Sequence, residues 1–269
     1  MTKIVQVIPR GLGGGFPWQN HGINAAGLDT ALSILNPEWW HDWKFGQIGR
    51  PGYFPSLWRC SRTTTAYIAE FNLAVAAAKT NPDILWFLGN EPERRDQSNT
   101  GVHTFTRAVK AFRKALPGTP IALPGVMVTD RPNDPGMYWL AGYNKLVQAE
   151  PEKTRHLLIP DYIHYHNYAY VWEEWRNNHD RVRSWARAAG WPDLMIVTEA
   201  AWAGGGEQTM QSDLGNLSIL DRVKRAIKVS DIRAGAWMSS QWHDWPGPAS
   251  NLLTGSYSLT TIGKEFVKP

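Results

Sequence analysis

Two glutamates stand at the ends of apolar, strand-like runs, and their type and position suit acid–base chemistry. Glu91 lies in an Asn-Glu-Pro motif directly after residues 84–89, and Glu199 follows residues 194–197. Such apolar runs are expected to be buried, so a carboxylate at the end of each run lies where the core meets a cleft. Two carboxylates that meet in one cleft can cleave a glycosidic bond. The alternative is that both glutamates form only structural salt bridges.

The elements that must position these glutamates alternate along the chain, and this alternation indicates a parallel sheet. Eight runs are predicted as strands: residues 4–8, 31–35, 53–58, 84–89, 121–128, 162–166, 194–198 and 234–241. Amphipathic segments are predicted as helices at residues 65–79, 104–116, 137–150, 172–189, 214–230 and 261–267. The glycine-rich residues 11–15 are interpreted as a loop at the rim of the cleft.

Eight strand–helix units predict an α/β protein with a single closed (β/α)8 barrel, a TIM barrel. A chain of 269 residues is ordinary for one such unit, so we expect a single catalytic domain over residues 1–269. In this fold the working residues lie at the carboxyl ends of the strands. Glu91 and Glu199 then follow strands four and seven, whose ends lie across the barrel mouth from each other.

This arrangement resembles the large clan of retaining (β/α)8 glycoside hydrolases, in which an Asn-Glu-Pro follows strand four and a glutamate follows strand seven. The resemblance implies that Glu91 is the acid/base, that Glu199 is the nucleophile, and that Asn90 donates a hydrogen bond to a sugar hydroxyl. It also implies a double-displacement mechanism with no metal ion and no organic cofactor.

Four further segments resemble glycoside hydrolase family 128, the endo-β-1,3-glucanases of fungi and bacteria. Residues 39–43 are similar to an aromatic motif ending in Asn-Trp, and residues 54–58 to Val-Pro-Met-Leu-Trp. Residues 90–93, followed by Gln97-Ser98-Asn99, are similar to Asn-Glu-Pro-Asp with a downstream Gln-Ser-Asn. Residues 161–168 are similar to an Asp-x-Ile strand ending in His-Trp-Tyr. The resemblance implies a β-glucan substrate, with Gln97 and Asn99 among the residues that bind it.

The chain departs from that family pattern at three positions that we expect to face the substrate. Asp42 stands where the family has Asn, Asn167 where it has Trp, and Ala200 where an aromatic residue follows the nucleophile. An endo-glycanase acting on mannan, β-1,4-glucan or galactan therefore stays an alternative. A carbohydrate-binding barrel without activity is a second alternative, although binding alone does not need two paired glutamates.

Histidine and tyrosine on the sixth predicted strand are further candidates. Because side chains alternate along a strand, His166 and Tyr168 face inward with the glutamates, where they would orient the nucleophile or bind a hydroxyl. His164 and His166 share a face, but zinc needs three or four convergent ligands and no third is indicated. The alternative is that both histidines are satisfied core residues.

The chain contains 15 tryptophans, which suits flat apolar surfaces that stack on sugar rings. Six tryptophans follow predicted strands and are candidate sugar platforms: Trp40, Trp43, Trp58, Trp202, Trp242 and Trp245. Trp86, Trp175 and Trp185 lie within elements and are interpreted as packing residues.

Composition limits the partners and the location of the protein. The net charge is +4, but the densest basic stretch, residues 176–187, is spaced like the solvated side of a helix, so no nucleic-acid partner is expected. Residues 1–7 lack the apolar core of a signal peptide, and no run approaches the length of a membrane helix. We expect a soluble monomer that binds a β-linked saccharide, cytoplasmic or secreted after a signal is trimmed.

Overall fold

Eight strands form one parallel sheet in a computed structural model that describes residues 10–13, 25–203, 210–228, 234–238, 252–253 and 258–268. The strands are β1 (Arg10–Gly13), β2 (Trp39–Trp40), β3 (Ser56–Leu57), β4 (Trp86–Leu88), β5 (Ile121–Val128), β6 (Tyr162–Ala169), β7 (Met195–Trp202) and β8 (Ala234–Met238). Their order in the sheet is β2-β1-β8-β7-β6-β5-β4-β3.

The two end strands of this sheet are joined through the segment that leads into β3. Trp40 of β2 forms a parallel bridge with Tyr53, and the backbone N–H of Phe54 donates to the Trp40 carbonyl at 2.9 Å. These contacts bring the two ends of the sheet together, and the prediction of an α/β protein with a (β/α)8 barrel is confirmed.

Helices follow most of the strands, and six of the helices lie where they are predicted. They are α1 (Ala25–Leu35), α2 (Thr65–Thr80), α3 (Val102–Ala115), α4 (Pro135–Ala149), α5 (Glu152–Arg155), α6 (Trp172–Ala188), α7 (Met210–Lys228) and α8 (Thr261–Phe266). Three of them begin at side chains that accept a backbone N–H of the first turn: Thr64 before α2, Asp134 before α4 and Thr260 before α8. These caps satisfy N–H groups that have no partner within the helix, and so they define where each helix starts.

Two predictions near the amino terminus are wrong. Residues 31–35 belong to α1 and not to a strand, because a short apolar run cannot be told from a buried helix segment by its composition. Leu28, Ala31 and Leu35 are all buried, and their spacing of three and four is that of one helix face. The structure places residues 11–13 in β1 and not in a loop. The predicted strand at 4–8 lies outside the described residues.

The barrel interior is filled with side chains below its mouth. In β4 and the residue before it, Leu85 and Phe87 alternate with Trp86 and Leu88, and the two pairs belong to different clusters of buried residues. The inner cluster consists of Trp39, Leu85, Phe87, Ala122, Tyr162 and Ile196. The larger cluster packs the outer face of the strands against the helices. Polar side chains can therefore converge only above this plug, at the carboxyl ends of the strands.

No helix among the described residues combines the length and the apolar composition that crossing a membrane requires.

Candidate active site

Glu91 reaches the barrel mouth through a sharp turn after β4. Gly89 has a φ of 88° and Glu91 a φ of 41°, both in the left-handed region. A Cβ on Gly89 would lie 2.6 Å from the ring of Phe105, so only glycine fits there. The backbone N–H of Glu91 donates to the Gly125 carbonyl at 2.8 Å, which ties this turn to β5. The strained backbone places the Glu91 side chain over the barrel interior.

Glu199 is aimed by an irregularity in β7. Tyr165 of β6 pairs with Val197, but the next residue, His166, pairs with Glu199, so Thr198 is an extra residue in the strand. A β-bulge of this kind allows consecutive side chains to face the same side. Thr198 and Glu199 both make contacts inside the barrel, while Ala200 packs among the outward residues.

The two glutamates meet at the mouth of the barrel together with His166. One ligand atom of each of these residues lies within 4.8 Å of the other two. Nδ1 of His166 is 2.8 Å from Oε1 of Glu91 and 3.3 Å from Oε2 of Glu199. The glutamates are 4% and 5% exposed, and His166 is fully buried. The structure therefore brings together the carboxylates that the sequence places at the ends of strands four and seven.

The charges in this cluster depend on one another. Burial alone lowers the pKa of His166, but the negative charge of Glu199 and the hydrogen bond that His166 donates to Glu91 outweigh it and raise the pKa. Burial raises the pKa of Glu199, and the charge of His166 opposes this rise, so that the pKa is about 7. Since carboxylate oxygens accept and cannot donate, Nδ1 of His166 carries a proton when the glutamates are ionised. The raised pKa favours the charged form of His166, which offsets the repulsion between two carboxylates buried so close together.

Tyr168 and Arg94 each contact one of the two glutamates. The hydroxyl of Tyr168, which is 3% exposed, donates to Oε2 of Glu199. Nε of Arg94 lies 3.2 Å from Oε2 of Glu91. The inward direction of His166 and Tyr168, predicted from strand alternation, is confirmed by these contacts.

Sequence reasoning missed Arg94 and Glu93. Oε1 of Glu93 accepts the backbone N–H of Met127 at 2.9 Å, and Nη1 of Arg94 lies 3.3 Å from the sulfur of Met127. Burial raises the pKa of Glu93 to about 7, and the charge of Glu91 adds to the shift. Both residues directly follow the Asn-Glu-Pro motif, so their nearness to Glu91 in the chain was the only available signal.

Asn90 and Gln97 lie together beside Glu91. Nδ2 of Asn90 donates to Oε1 of Gln97 at 3.2 Å, and the backbone N–H of Asn90 donates to the Trp58 carbonyl at 3.0 Å. Asn90 is buried, whereas Asn99 is exposed and has a φ of 44°. The turn that follows Glu91 thus brings the side chain of Gln97 next to that of Asn90. Asn99 lies on the same segment but is exposed to solvent.

The candidate tryptophans separate into different environments. Trp43 is half-buried, and its ring centre lies 5.3 Å from that of His166, so it borders the carboxylates. Trp58 is also half-buried, with the guanidinium of Arg59 5.3 Å from its ring centre. Trp40 is 1% exposed and belongs to the core, where its indole N–H donates to the Pro51 carbonyl at 3.1 Å.

Trp202 lies at the end of β7, where it packs against helix α7. Its indole N–H donates to the Tyr170 carbonyl at 3.1 Å, and its ring lies directly over Gly215. A Cβ at Gly215 would lie 2.8 Å from the indole nitrogen, so the glycine allows this packing. Trp242 and Trp245 lie outside the described residues.

Two of the three departures from the family pattern do not face the carboxylates. Asn167 is fully buried and bonds to helix α6, donating to the Trp175 carbonyl at 2.8 Å. Ala200 lies in the outer core, and Oδ1 of Asp42 accepts the hydroxyl of Tyr53 at 2.5 Å. The expectation that these positions face the substrate is wrong for Asn167 and Ala200, because alternation along β6 and the bulge in β7 turn both side chains outward.

The cluster of Glu91, His166 and Glu199 also offers the kind of donor atoms that bind a divalent cation. His164, the other half of the histidine pair, is not part of it and bonds to Oγ1 of Thr198 at 3.2 Å. Hydrogen bonds among the three clustered side chains, with His166 charged, account for their spacing by themselves. The cluster can transfer protons and place a nucleophile within a water-poor cleft.

Solved structures of glycoside hydrolase family 128 share this fold. An endo-β-1,3-glucanase of subgroup I from Amycolatopsis mediterranei, in complex with laminarihexaose, matches with a TM-score of 0.68 at 17% identity, over 97% of this chain and 98% of that chain. An exo-β-1,3-glucanase of subgroup VI from Aureobasidium namibiae matches with a TM-score of 0.69 at 16% identity, over 98% of each chain.

A third similar structure is an endo-β-1,3-glucanase of subgroup IV from Lentinula edodes, with a TM-score of 0.67 at 14% identity, over 97% of this chain and 99% of that chain. No family model and no curated protein matches the sequence. The resemblance to family 128 that the motifs indicate is confirmed at the level of the fold.

Proposed function

We propose that this chain is a retaining endo-β-1,3-glucanase in which Glu199 is the nucleophile and Glu91 the acid/base. The observation that carries the proposal is the buried pair of carboxylates within 4.8 Å at the barrel mouth. Retaining glycosidases hold their carboxyl groups about 5 to 5.5 Å apart, whereas inverting enzymes need about 6.5 to 9.5 Å to admit a water molecule. The observed spacing supports the retaining mechanism.

In the first step Glu199 attacks the anomeric carbon of the bound sugar. Tyr168 and His166 both contact Oε2 of Glu199, so we assign the attack to Oε1. A bond forms from Oε1 to the anomeric carbon as the bond to the leaving oxygen breaks, and that oxygen takes a proton from Glu91. Glu91 regains this proton from water in the second step, and Nδ1 of His166 donates a hydrogen bond to Oε1 of Glu91.

In the second step Glu91 removes a proton from water, and the water oxygen displaces Glu199 from the anomeric carbon. The side chain of Asn90 lies beside Glu91 and would bind a hydroxyl of the same sugar. Trp43, next to His166, supplies an apolar ring on which that sugar stacks. We include Trp58, Gln97, Asn99 and Trp202 as candidates for contacts farther along the saccharide, and leave Trp40 out because it is a core residue here.

The β-1,3 linkage is proposed from two lines of support: the sequence motifs, and neighbours that bind laminari-oligosaccharides. Laminarin, curdlan, mannan, galactan, xylan and carboxymethylcellulose should be offered to the protein, and the products sized by chromatography. Early laminarin products of mixed length support endo action, and glucose alone indicates exo action. Cleavage of another polymer in preference to laminarin and curdlan would show that the enzyme is specific for a linkage other than β-1,3. Affinity without cleavage would indicate a carbohydrate-binding barrel.

The two catalytic roles are tested by azide rescue of activated β-aryl laminaribioside cleavage. In Glu199→Ala, azide takes the place of the nucleophile and should yield the α-glycosyl azide. In Glu91→Ala, azide attacks the glycosyl-enzyme and should yield the β-glycosyl azide. Glu93→Gln is the matched control, a neighbouring carboxylate that should give no azide product. Full activity of Glu199→Ala without azide would refute the assignment.

A further inference from the structure

Thr198 is the residue on which the direction of Glu199 depends. Thr198 is an extra residue relative to both neighbouring strands. Between the pairs Val197–Gly235 and Ala200–Trp237, β7 advances by three residues and β8 by only two. In a regular strand, Thr198 and Glu199 would point to opposite faces. Whatever holds Thr198 in the bulge therefore also determines where the Glu199 carboxylate points.

Two buried histidines contact Thr198 inside the barrel. Nε2 of His41, in the loop after β2, lies 3.1 Å from the Thr198 carbonyl oxygen. Nδ1 of His164, on β6, lies 3.2 Å from Oγ1 of Thr198. All three residues are fully buried. Since a carbonyl oxygen only accepts, Nε2 of His41 is the protonated nitrogen of its ring.

Neither histidine is suited to proton transfer in the reaction. Burial lowers the pKa of His41 to about 3, and burial with the charges of His166 and His41 lowers the pKa of His164 well below its ordinary value. Both rings are therefore neutral at working pH. Phe87 packs against both, with ring centres 5.3 Å and 5.1 Å away, so water is poorly placed to replace a lost hydrogen bond.

We propose that His41 and His164 are positioning residues that hold the bulge at Thr198 and thereby aim Glu199 at the anomeric carbon. The inference rests on the proposed function, in which Glu199 is the nucleophile. A displacement of about 1 Å at a reacting group costs about a hundredfold in rate, so loss of one contact should slow attack by about ten- to a hundredfold.

The test measures covalent labelling of Glu199 in paired variants. The probe is a laminaribioside with a dinitrophenolate leaving group and fluorine in place of the hydroxyl next to the anomeric carbon. Glu199 displaces dinitrophenolate, which leaves with its electron pair, and the fluorine slows release. Thr198→Val removes the hydroxyl that contacts His164 and lies 3.5 Å from the Tyr165 carbonyl, and His41→Leu removes the contact with the Thr198 carbonyl. Thr198→Ser and His41→Gln retain the hydroxyl or an N–H donor.

The expected result distinguishes an effect on the orientation of Glu199 from an effect on the stability of the protein. Thr198→Val and His41→Leu should label about ten- to a hundredfold more slowly, yet still reach one label per chain, while Thr198→Ser and His41→Gln recover most of the rate. His179→Leu is the control, because His179 is a buried histidine that bonds to Tyr165 rather than to Thr198. It should lower the melting temperature and leave the labelling rate constant unchanged.

Two outcomes would overturn the inference. One is a labelling rate constant equal to that of the wild type in both Thr198→Val and His41→Leu. The other is a wild-type rate constant in these variants together with fewer chains that become labelled. If the wild type itself is not labelled, the proposed function fails instead. Crystal structures of the two variants then decide the positioning role, which is wrong if Glu199 keeps its contact with Tyr168 in both.

Discussion

Tyr168→Phe should reduce activity most strongly at acid pH, because Tyr168 helps Glu199 to stay ionised. Its hydroxyl donates to Oε2 of Glu199 and lowers the pKa that burial raises to about 7. Without this donor, the pKa of Glu199 rises further, so at a given acid pH fewer molecules carry the ionised nucleophile. The acid limb of the pH profile of kcat/KM should therefore move to higher pH.

The size of the effect follows from the burial of the bond. A hydrogen bond to a charged acceptor contributes about 1.5–3 kcal/mol, and Tyr168 is only 3% exposed, so water cannot readily replace it. Since one pKa unit corresponds to about 1.36 kcal/mol, the limb should move by about one to two pH units. Below the limb, kcat/KM should fall by about 10- to 150-fold relative to the wild type.

The assay is kcat/KM for an aryl β-laminaribioside, measured for both proteins across the pH range. The ratio of the wild-type kcat/KM to the variant kcat/KM should shrink as pH rises, because Glu199 becomes ionised in both proteins. Tyr143→Phe is the matched control: it also removes a buried hydroxyl, one that donates to the Leu158 carbonyl at 3.0 Å, and should leave the limb in place. A ratio that is constant with pH, or a limb that moves to lower pH, would refute the reasoning.

Two further predictions concern the free enzyme and its sugar platform. In the wild type, kcat/KM should rise with pH through about 7, because burial keeps Glu199 protonated and unable to attack below its pKa; a profile that falls across this range would contradict the role of Glu199. Trp43→Ala should raise KM for laminari-oligosaccharides by about 2- to 12-fold, the equivalent of about 0.5–1.5 kcal/mol of stacking. Trp185→Ala, which alters a half-buried tryptophan on α6, is its control and should leave KM unchanged, so equal effects in both variants would argue against a platform at Trp43.

Much of the barrel could be predicted because its strands and helices have distinct apolar periods. The strand at Ile121–Val128 and the helices after residue 64, apart from the short α5, match their predicted positions closely. The second strand could not be found in this way, since Trp39–Trp40 is only two residues long. The sequence predicts residues 31–35 as this strand instead, although the other buried residue of that helix face, Leu28, lies before them.

The candidate site was predictable where it depends on strand alternation and not where it depends on turns. His166 and Tyr168 face inward because residues two apart in a strand share a face. Arg94 reaches Glu91 only because the chain turns sharply at Gly89 and Glu91, and both have positive φ. Trp40 and Trp43 are equivalent in sequence terms, yet one packs in the core and the other borders His166.

The sequence by itself determined that an apolar run leads into each of the two glutamates, because apolar periodicity is a local property of the chain, although β7 continues past Glu199 to Trp202. It therefore placed Glu91 and Glu199 at one mouth of a barrel and pointed to the resemblance with family 128. Only the tertiary structure decided their spacing, the contact of His166 with both glutamates and the contact of His41 with Thr198. These depend on a bulge, on left-handed turns and on contacts between residues up to 157 positions apart, which no local pattern encodes.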